Sequence, residues 1–304
     1  MPTRTAERDA LFMRAPTVAR VHSMTMQSEA IPDQVLRAHC RPVVAMSYTK
    51  ETLFSMYQLW FRRNFHAYSD DYGVLWSWRN NDGFYEKLNC LAMERERISH
   101  MDTTLVEDVI YICIQFKSAR LKVYRFCQET CVFIREIRTG DFTFCKMSCF
   151  GNWVAYPSPR VENGICIESM NDGVVILDDY KPRDVSGMCM FCKLYPSVDI
   201  RVLHLMLGYE SGLFCLLAVN TETNATASII ESRLIKDSVI SADLHVESGL
   251  VVIVGASEDC VVLRHIWNKD AFSSESKKLP SAGFNTVVIR PDGKLFVTGG
   301  WDAR

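Results

Sequence analysis

Three times in the last third of the chain, a short apolar run ends on glycine and an acidic residue follows within a few positions. The runs are Leu205-Met206-Leu207-Gly208-Tyr209-Glu210-Ser211-Gly212, Val252-Ile253-Val254-Gly255-Ala256-Ser257-Glu258-Asp259 and Leu295-Phe296-Val297-Thr298-Gly299-Gly300-Trp301-Asp302. Gly208 to Gly255 is a step of 47 residues, and Gly255 to Gly299 a step of 44. A period of about 40 to 50 residues with several short strands per unit is the mark of a propeller blade. A helical repeat of similar length would need apolar residues at 3.6-residue spacing, which these units lack.

Upstream the same texture continues. Short runs of Val, Ile, Leu, Phe and Tyr recur at 43–48, 109–116, 121–126, 173–177, 202–207, 251–254 and 287–289, broken by Gly, Asp, Asn or Ser. Each is too short for a typical helix and rich in residues that suit a pleated, half-buried surface. The expected fold class is therefore all-β. Residues 1–31 differ: they carry Pro2, Pro16 and several arginines, and read as a flexible N-terminal extension. The propeller is expected over 32–304.

Composition narrows the function classes. Lys and Arg number 34 against 36 Asp and Glu, a net charge of −2. That balance offers no electrostatic footprint for nucleic acid, where phosphates must be neutralised. The longest apolar stretches run about eight or nine residues, against the roughly 20 of a spanning helix, so no membrane role is expected. With no apolar core of a signal peptide near the start, the 12 cysteines are expected as reduced thiols packed in a core.

One segment carries a specific resemblance. Residues 284–302 look like the first two strands of a WD repeat, with Pro291-Asp292-Gly293-Lys294 as the hairpin turn between them. Ala38-His39-Cys40-Arg41-Pro42-Val43 resembles the glycine-histidine opening of a blade, with Ala in place of Gly. Trp78 and Phe126 match the aromatic that ends a blade's third strand, and Trp301-Asp302 falls in the turn before that strand. The resemblance implies that His39, Asp71, Asp259 and Asp302 belong to a structural hydrogen-bond network. It also implies that Asp70, Tyr209, Glu258 and Trp301 reach a rim where partners bind. For Tyr209 and Trp301, packing on the neighbouring blade is an equal alternative.

Across 32–304 the chain resembles one WD-repeat family, that of guanine nucleotide-binding protein subunit beta-like protein 1. The carriers are Pro32-Asp33-Gln34-Val35-Leu36-Arg37, Phe144-Cys145-Lys146, Trp153-Val154-Ala155-Tyr156-Pro157, Gly187-Met188-Cys189-Met190, residues 207–212, Ile289-Arg290-Pro291-Asp292 and Gly300-Trp301-Asp302, in shared order. The resemblance implies a nominal seven-bladed propeller with about six blades represented here. The last would be incomplete, as in a truncated product or an incomplete gene model. It implies a monomeric scaffold without cofactors, in the cytoplasm and possibly the nucleus. The implied partner is the TTT co-chaperone complex, which supports phosphatidylinositol 3-kinase-related kinases.

Chemistry-bearing patterns are sparse. Cys189-Met190-Phe191-Cys192 is a C-x-x-C, readable as a redox pair or half a zinc site, with Cys166 and Cys215 as further ligands by count. Its apolar context favours a strand with Cys189 and Cys192 on opposite faces, packed as small apolar groups. Cys127 with Cys131 and Cys145 with Cys149 read the same way. Asp178 and Asp179 read as a solvated turn, and His204 and His245 as strand residues. Tyr57, Trp60, Phe61 and Phe65, beside Arg62 and Arg63, read as core before a binding patch. No G-x-S-x-G, P-loop or H-E-x-x-H is present. The expectation is a non-enzyme with no metal site. The alternatives are a heterotrimeric G-protein β-like subunit, or a thiol or metal protein using Cys189 and Cys192. The first alternative needs an N-terminal coiled-coil helix, and residues 1–31 lack sustained heptads.

Overall fold

The computed structural model describes residues 43–49, 52–62, 69–81, 84–94, 96–127, 130–141, 144–183, 185–266, 271–279 and 281–301. Its 22 described strands form consecutive antiparallel meanders. Blade one comprises β1 (Val43–Thr49), β2 (Thr52–Arg62), β3 (Ser69–Asn81) and β4 (Phe84–Glu94). Blade two comprises β5 (Ile98–Val106), β6 (Val109–Phe116), β7 (Arg120–Cys127) and β8 (Thr130–Arg138). Blade three comprises β9 (Ser148–Phe150), β10 (Trp153–Pro157), β11 (Ile165–Ser169) and β12 (Val175–Tyr180). Blade four comprises β13 (Cys189–Pro196), β14 (Val202–Tyr209), β15 (Leu213–Asn220) and β16 (Thr226–Arg233). Blade five comprises β17 (Val239–His245), β18 (Leu250–Gly255), β19 (Asp259–Ile266) and β20 (Ala271–Lys278). The sixth sheet pairs β21 (Phe284–Ile289) with β22 (Phe296–Gly300). The first strands β1, β5, β9, β13, β17 and β21 lie side by side in that order, so they are the innermost of each sheet. The protein is an all-β propeller of WD-repeat type.

The apolar runs in the sequence have a direct physical meaning here. Successive side chains of a strand point to opposite faces, and a central blade strand has a neighbouring blade on each face. In β6, Ile110, Ile112, Ile114 and Phe116 pack against blade one, while Tyr111 and Cys113 pack against blade three. In β18, Val251 and Ile253 face blade four, and Leu250, Val252 and Val254 face the sixth sheet. The core is thus five layers, one between each consecutive pair of sheets. At roughly 1.5–3 kcal/mol per fully buried large aliphatic side chain, these layers dominate the folding energetics.

Polar clasps join the inner strands. Asp102 Oδ2 accepts the Cys149 N–H at 2.9 Å, Ser148 Oγ the Leu194 N–H at 3.2 Å, and Ser241 Oγ the Val287 N–H at 3.3 Å. Asp243 Oδ2 accepts the Ile289 N–H at 2.5 Å. Each bond spans 46 or 47 residues, close to the steps of 47 and 44 read from the glycines. Each side-chain oxygen satisfies a main-chain donor on the edge of the next blade, where burial without a partner would be costly.

Three local expectations are corrected. Asp71, which the resemblance makes the acid of a blade's turn, lies with Asp70 within β3, because β2 continues to Arg62 and pairs Phe61 with Asp70 and Trp60 with Asp71. Gly173, expected in a strand, has φ +77° and turns the chain before β12. Asp178 and Asp179 lie within β12 rather than in a turn, and both pair with Arg160. The hairpin at Pro291-Asp292-Gly293-Lys294 is as expected: Gly293 has φ +66°, and Gly293 N–H bonds to the Arg290 carbonyl at 2.8 Å.

Candidate functional site

Each blade reverses direction at both ends of the propeller. At one end lie the turns between second and third strands, together with the segments that pass from one blade to the next. A cleft opens there between blades four and five. It is lined by Ser211 from the β14–β15 turn, by Arg233 at the end of β16, and by Leu234, Ile235 and Lys236 from the connection to β17. Asp259, Ser276 and Lys278 complete it. Its shape depends on Gly212, which has φ +81°; a Cβ there would lie 1.9 Å from the Ile235 carbonyl oxygen. Only glycine lets the turn touch the connection, and the Leu234 N–H bonds to the Gly212 carbonyl at 3.1 Å. Lys278 reaches Glu258 at 3.5 Å, and Arg233 donates to Ser186 Oγ at 3.4 Å. Three cations against Asp259 make the lining attractive to an acidic side chain.

The residues expected at this rim divide sharply. Tyr209 is 0% exposed, and its hydroxyl points to the Asn163 carbonyl of blade three at 3.4 Å. It packs in the layer between blades three and four, so the alternative of packing on the neighbouring blade holds for Tyr209. Trp301 is 59% exposed; its indole N–H donates to Asn285 Oδ1 at 2.6 Å, and its ring lies over Gly283. Glu258 is exposed in the β18–β19 turn, and Asp259 opens β19 on the cleft wall. Asp70 and Asp71 belong to β3, and nothing is described of their side chains. His39 and Asp302 lie outside the described residues, as does residue 65 of the aromatic cluster.

The thiols form a buried group. A register shift makes Met190 an extra residue in β13, so Cys189 and Cys192 face the same core layer rather than opposite faces. Cys189 Sγ lies 3.8 Å from Cys145 Sγ, and Cys192 donates to the Lys146 carbonyl at 3.2 Å. Hydrogen bonds from Cys189 and Cys192, followed by burial, push the Cys145 thiol well above its ordinary range. Burial also raises Cys215 and Cys149. A thiol held protonated is a poor nucleophile and a poor ligand. Cys166 stands apart, with its Sγ 3.4 Å from Asp179 Oδ1. Cys166, Asp178 and Asp179 bring three possible ligand atoms within 4.8 Å of one another, but Arg160 pairs with both carboxylates and Nε sits 2.8 Å from Asp179. The guanidinium occupies the place a cation would take.

A polar network joining β13, β17 and β21 was not legible in the sequence. Asp243 accepts the Lys193 ammonium at 2.7 Å, the Tyr195 hydroxyl and the Ile289 N–H. Burial, then the Asp243 charge, pushes the Tyr195 hydroxyl far above its ordinary range, so it remains a donor. The pattern Lys193-x-Tyr195 gives no signal by itself, because its partner is 48 residues downstream.

No family model matches the chain. A relative, ASTRA-associated protein 1 from Verticillium alfalfae, is 30% identical over 125 residues, which is 39% of this chain and 30% of that protein. The crystal structure of Sqt1 from Chaetomium thermophilum superposes with a TM-score of 0.56 at 11% identity, covering 83% of this chain and 66% of that one. The chain therefore spans less than a third of the length of the curated relative it matches. The structural likeness establishes the fold.

Proposed function

We propose that the chain is a non-enzymatic WD-repeat scaffold, of the beta-like protein 1 kind, that holds partners of the TTT co-chaperone machinery. The observation that carries this reading is the 30% identity to a protein named for its association with ASTRA, on a propeller fold. The rim supports it: blade turns bring residues distant in sequence onto one surface, as binding requires. Exposed Trp301 and the cationic cleft are suitable anchors. The G-protein β-like reading draws no support from the described residues, and the thiol-enzyme reading is opposed by the burial of Cys189 and Cys192 in a core layer. The scaffold would act as a monomer in the cytoplasm and nucleus.

The test is affinity purification of the tagged full chain from native cells, read by mass spectrometry, alongside a Lys236→Glu and Arg233→Glu variant. Recovery of TTT or ASTRA components, reduced several-fold by the variant, is expected. Recovery of a G-protein γ subunit without those components would overturn the reading.

A further inference from the structure

The other end of the propeller carries a different surface. Two pairs of bonds fix strand direction. Ser241 with Val287 and Asp243 with Ile289 show that β17 and β21 run parallel. Lys146 with Cys192 and Ser148 with Leu194 do the same for β9 and β13. The turns after the inner strands therefore gather at one end. The first and third strands of a meander are also parallel, so the turns between third and fourth strands gather at that same end.

That end exposes apolar side chains from three consecutive blades. Leu105 lies near the end of β5, Phe150 ends β9, Val174 and Val175 lead into β12, and Val198 and Ile200 come from the β13–β14 turn. Val198 is 82% exposed and Ile200 93%. Neither holds its turn together. The Val202 N–H bonds to the Asp199 carbonyl at 2.9 Å, and Asp199 Oδ1 accepts the Arg201 N–H at 3.0 Å. Isolated exposed apolar residues are ordinary, but an arc of six at four turns of three consecutive blades is the kind of surface that partners cover.

Carboxylates predominate around the arc. Glu107 and Asp108 flank Leu105, Asp172 precedes Val174, and Glu222 lies in the β15–β16 turn. The basic groups at these turns are neutralised: Arg201 closes on Asp199 at 3.0 Å, and Arg135, whose guanidinium lies against Gly173, pairs with Glu168 at 2.9 Å. Arg125, farther up β7, is exposed. An apolar arc bordered by carboxylates complements a segment with apolar residues on one face and Lys or Arg beside them. We propose that the end of blades two to four formed by Leu105, Phe150, Val198 and Ile200 docks a basic amphipathic segment of a partner protein. This inference rests on the scaffold reading, and it places a second binding surface opposite the cationic cleft.

The probe is a fluorescein-labelled helical peptide of Leu and Lys, titrated into the purified full chain by anisotropy, beside a Leu and Glu peptide of the same pattern. Wild type should bind the Lys peptide and not the Glu peptide, and more weakly at high salt. Val198→Asp with Ile200→Asp should weaken binding at least tenfold. Glu107→Lys with Asp172→Lys should do likewise, while Phe144→Asp at the opposite end should change nothing. All these sites are exposed, so unchanged melting is expected and checked first. Equal binding by wild type and the Val198, Ile200 variant overturns the proposal. So does a dimer in sedimentation that this variant dissolves, since the occupant would then be a second copy. If purification recovers co-chaperone components while the peptide fails, only this inference falls. If the peptide binds and no such components are recovered, the functional reading falls instead.

Discussion

Asp102 and Asp243 occupy corresponding places in blades two and five, yet their surroundings give them different chemistry. Asp243 contacts an ammonium and a phenol. Asp102 accepts two main-chain N–H groups, from Thr103 and Cys149, each at 2.9 Å. Burial pushes the Asp102 carboxyl up to about 6; the two N–H bonds and the Lys193 charge pull it back only in part. A folded-state value above the unfolded one means that the native state holds the proton more tightly. The resulting stabilisation is fully present below about pH 4 and is lost as pH rises through about 6. A shift of two units corresponds to roughly 3 kcal/mol as an upper scale. Urea unfolding of wild type and Asp102→Ser at pH 4.5 and 7.5 checks this: the gap between them should be larger at the lower pH. A gap independent of pH would contradict it. Nearby His100 moves the other way, to about 4 through burial and the Lys146 charge, and stays neutral across this window.

At the scale of strands and turns, glycines that look equivalent in the repeat do different work. A Cβ on Gly255 would lie 2.0 Å from the Ser238 carbonyl, and one on Gly208 would lie 2.2 Å from the Phe191 ring. Both let β18 or β14 pass closely against the segment at their side. Gly299 meets only Thr286 Cγ2, at 3.0 Å. Gly255→Ala should therefore cost more than about 2 kcal/mol, because backbone must shift to admit the methyl. Gly299→Ala should cost less than about 1 kcal/mol, because a side-chain methyl gives way more easily. Chemical denaturation of the two variants distinguishes them, and equal costs would refute the distinction. The period of the glycines announced the blades. Which glycine is indispensable depends on the connection from the preceding blade, and nothing adjacent in sequence encodes that contact.

For the molecule as a whole, the layers between blades decide which cysteines can react. Cys127 is exposed in its turn, whereas Cys113, Cys145, Cys149, Cys166, Cys189, Cys192, Cys215 and Cys260 are buried. Native iodoacetamide treatment followed by mass spectrometry should modify Cys127 first among these and reach the buried set only after unfolding. The same preparation should hold no stoichiometric zinc. Fast labelling of Cys189 or Cys192, or zinc near one equivalent, would revive the thiol or metal reading. The sequence made the packing role of the buried cysteines legible through their apolar neighbours, but it also read Cys127 as packed, and the structure exposes it at the end of β7. It misplaced Cys189 and Cys192 on opposite faces because a bulge at Met190 shifts the alternation.

The sequence alone determined the fold class and the blade period. Strand alternation, turn glycines and a step of 44 to 47 residues are local or periodic properties, and they survive without knowledge of contacts. It also marked the hairpin at Asp292-Gly293, and left Trp301 open between the rim and the neighbouring blade. Only the tertiary structure decided that Tyr209 is core, that Asp243 clasps Lys193, Tyr195 and Ile289, and that Leu105, Phe150, Val198 and Ile200 share one face. In a propeller, a residue's neighbours lie about one blade length away along the chain. Exposure and partnership are therefore settled when blades dock, a step that spacing within a blade does not describe.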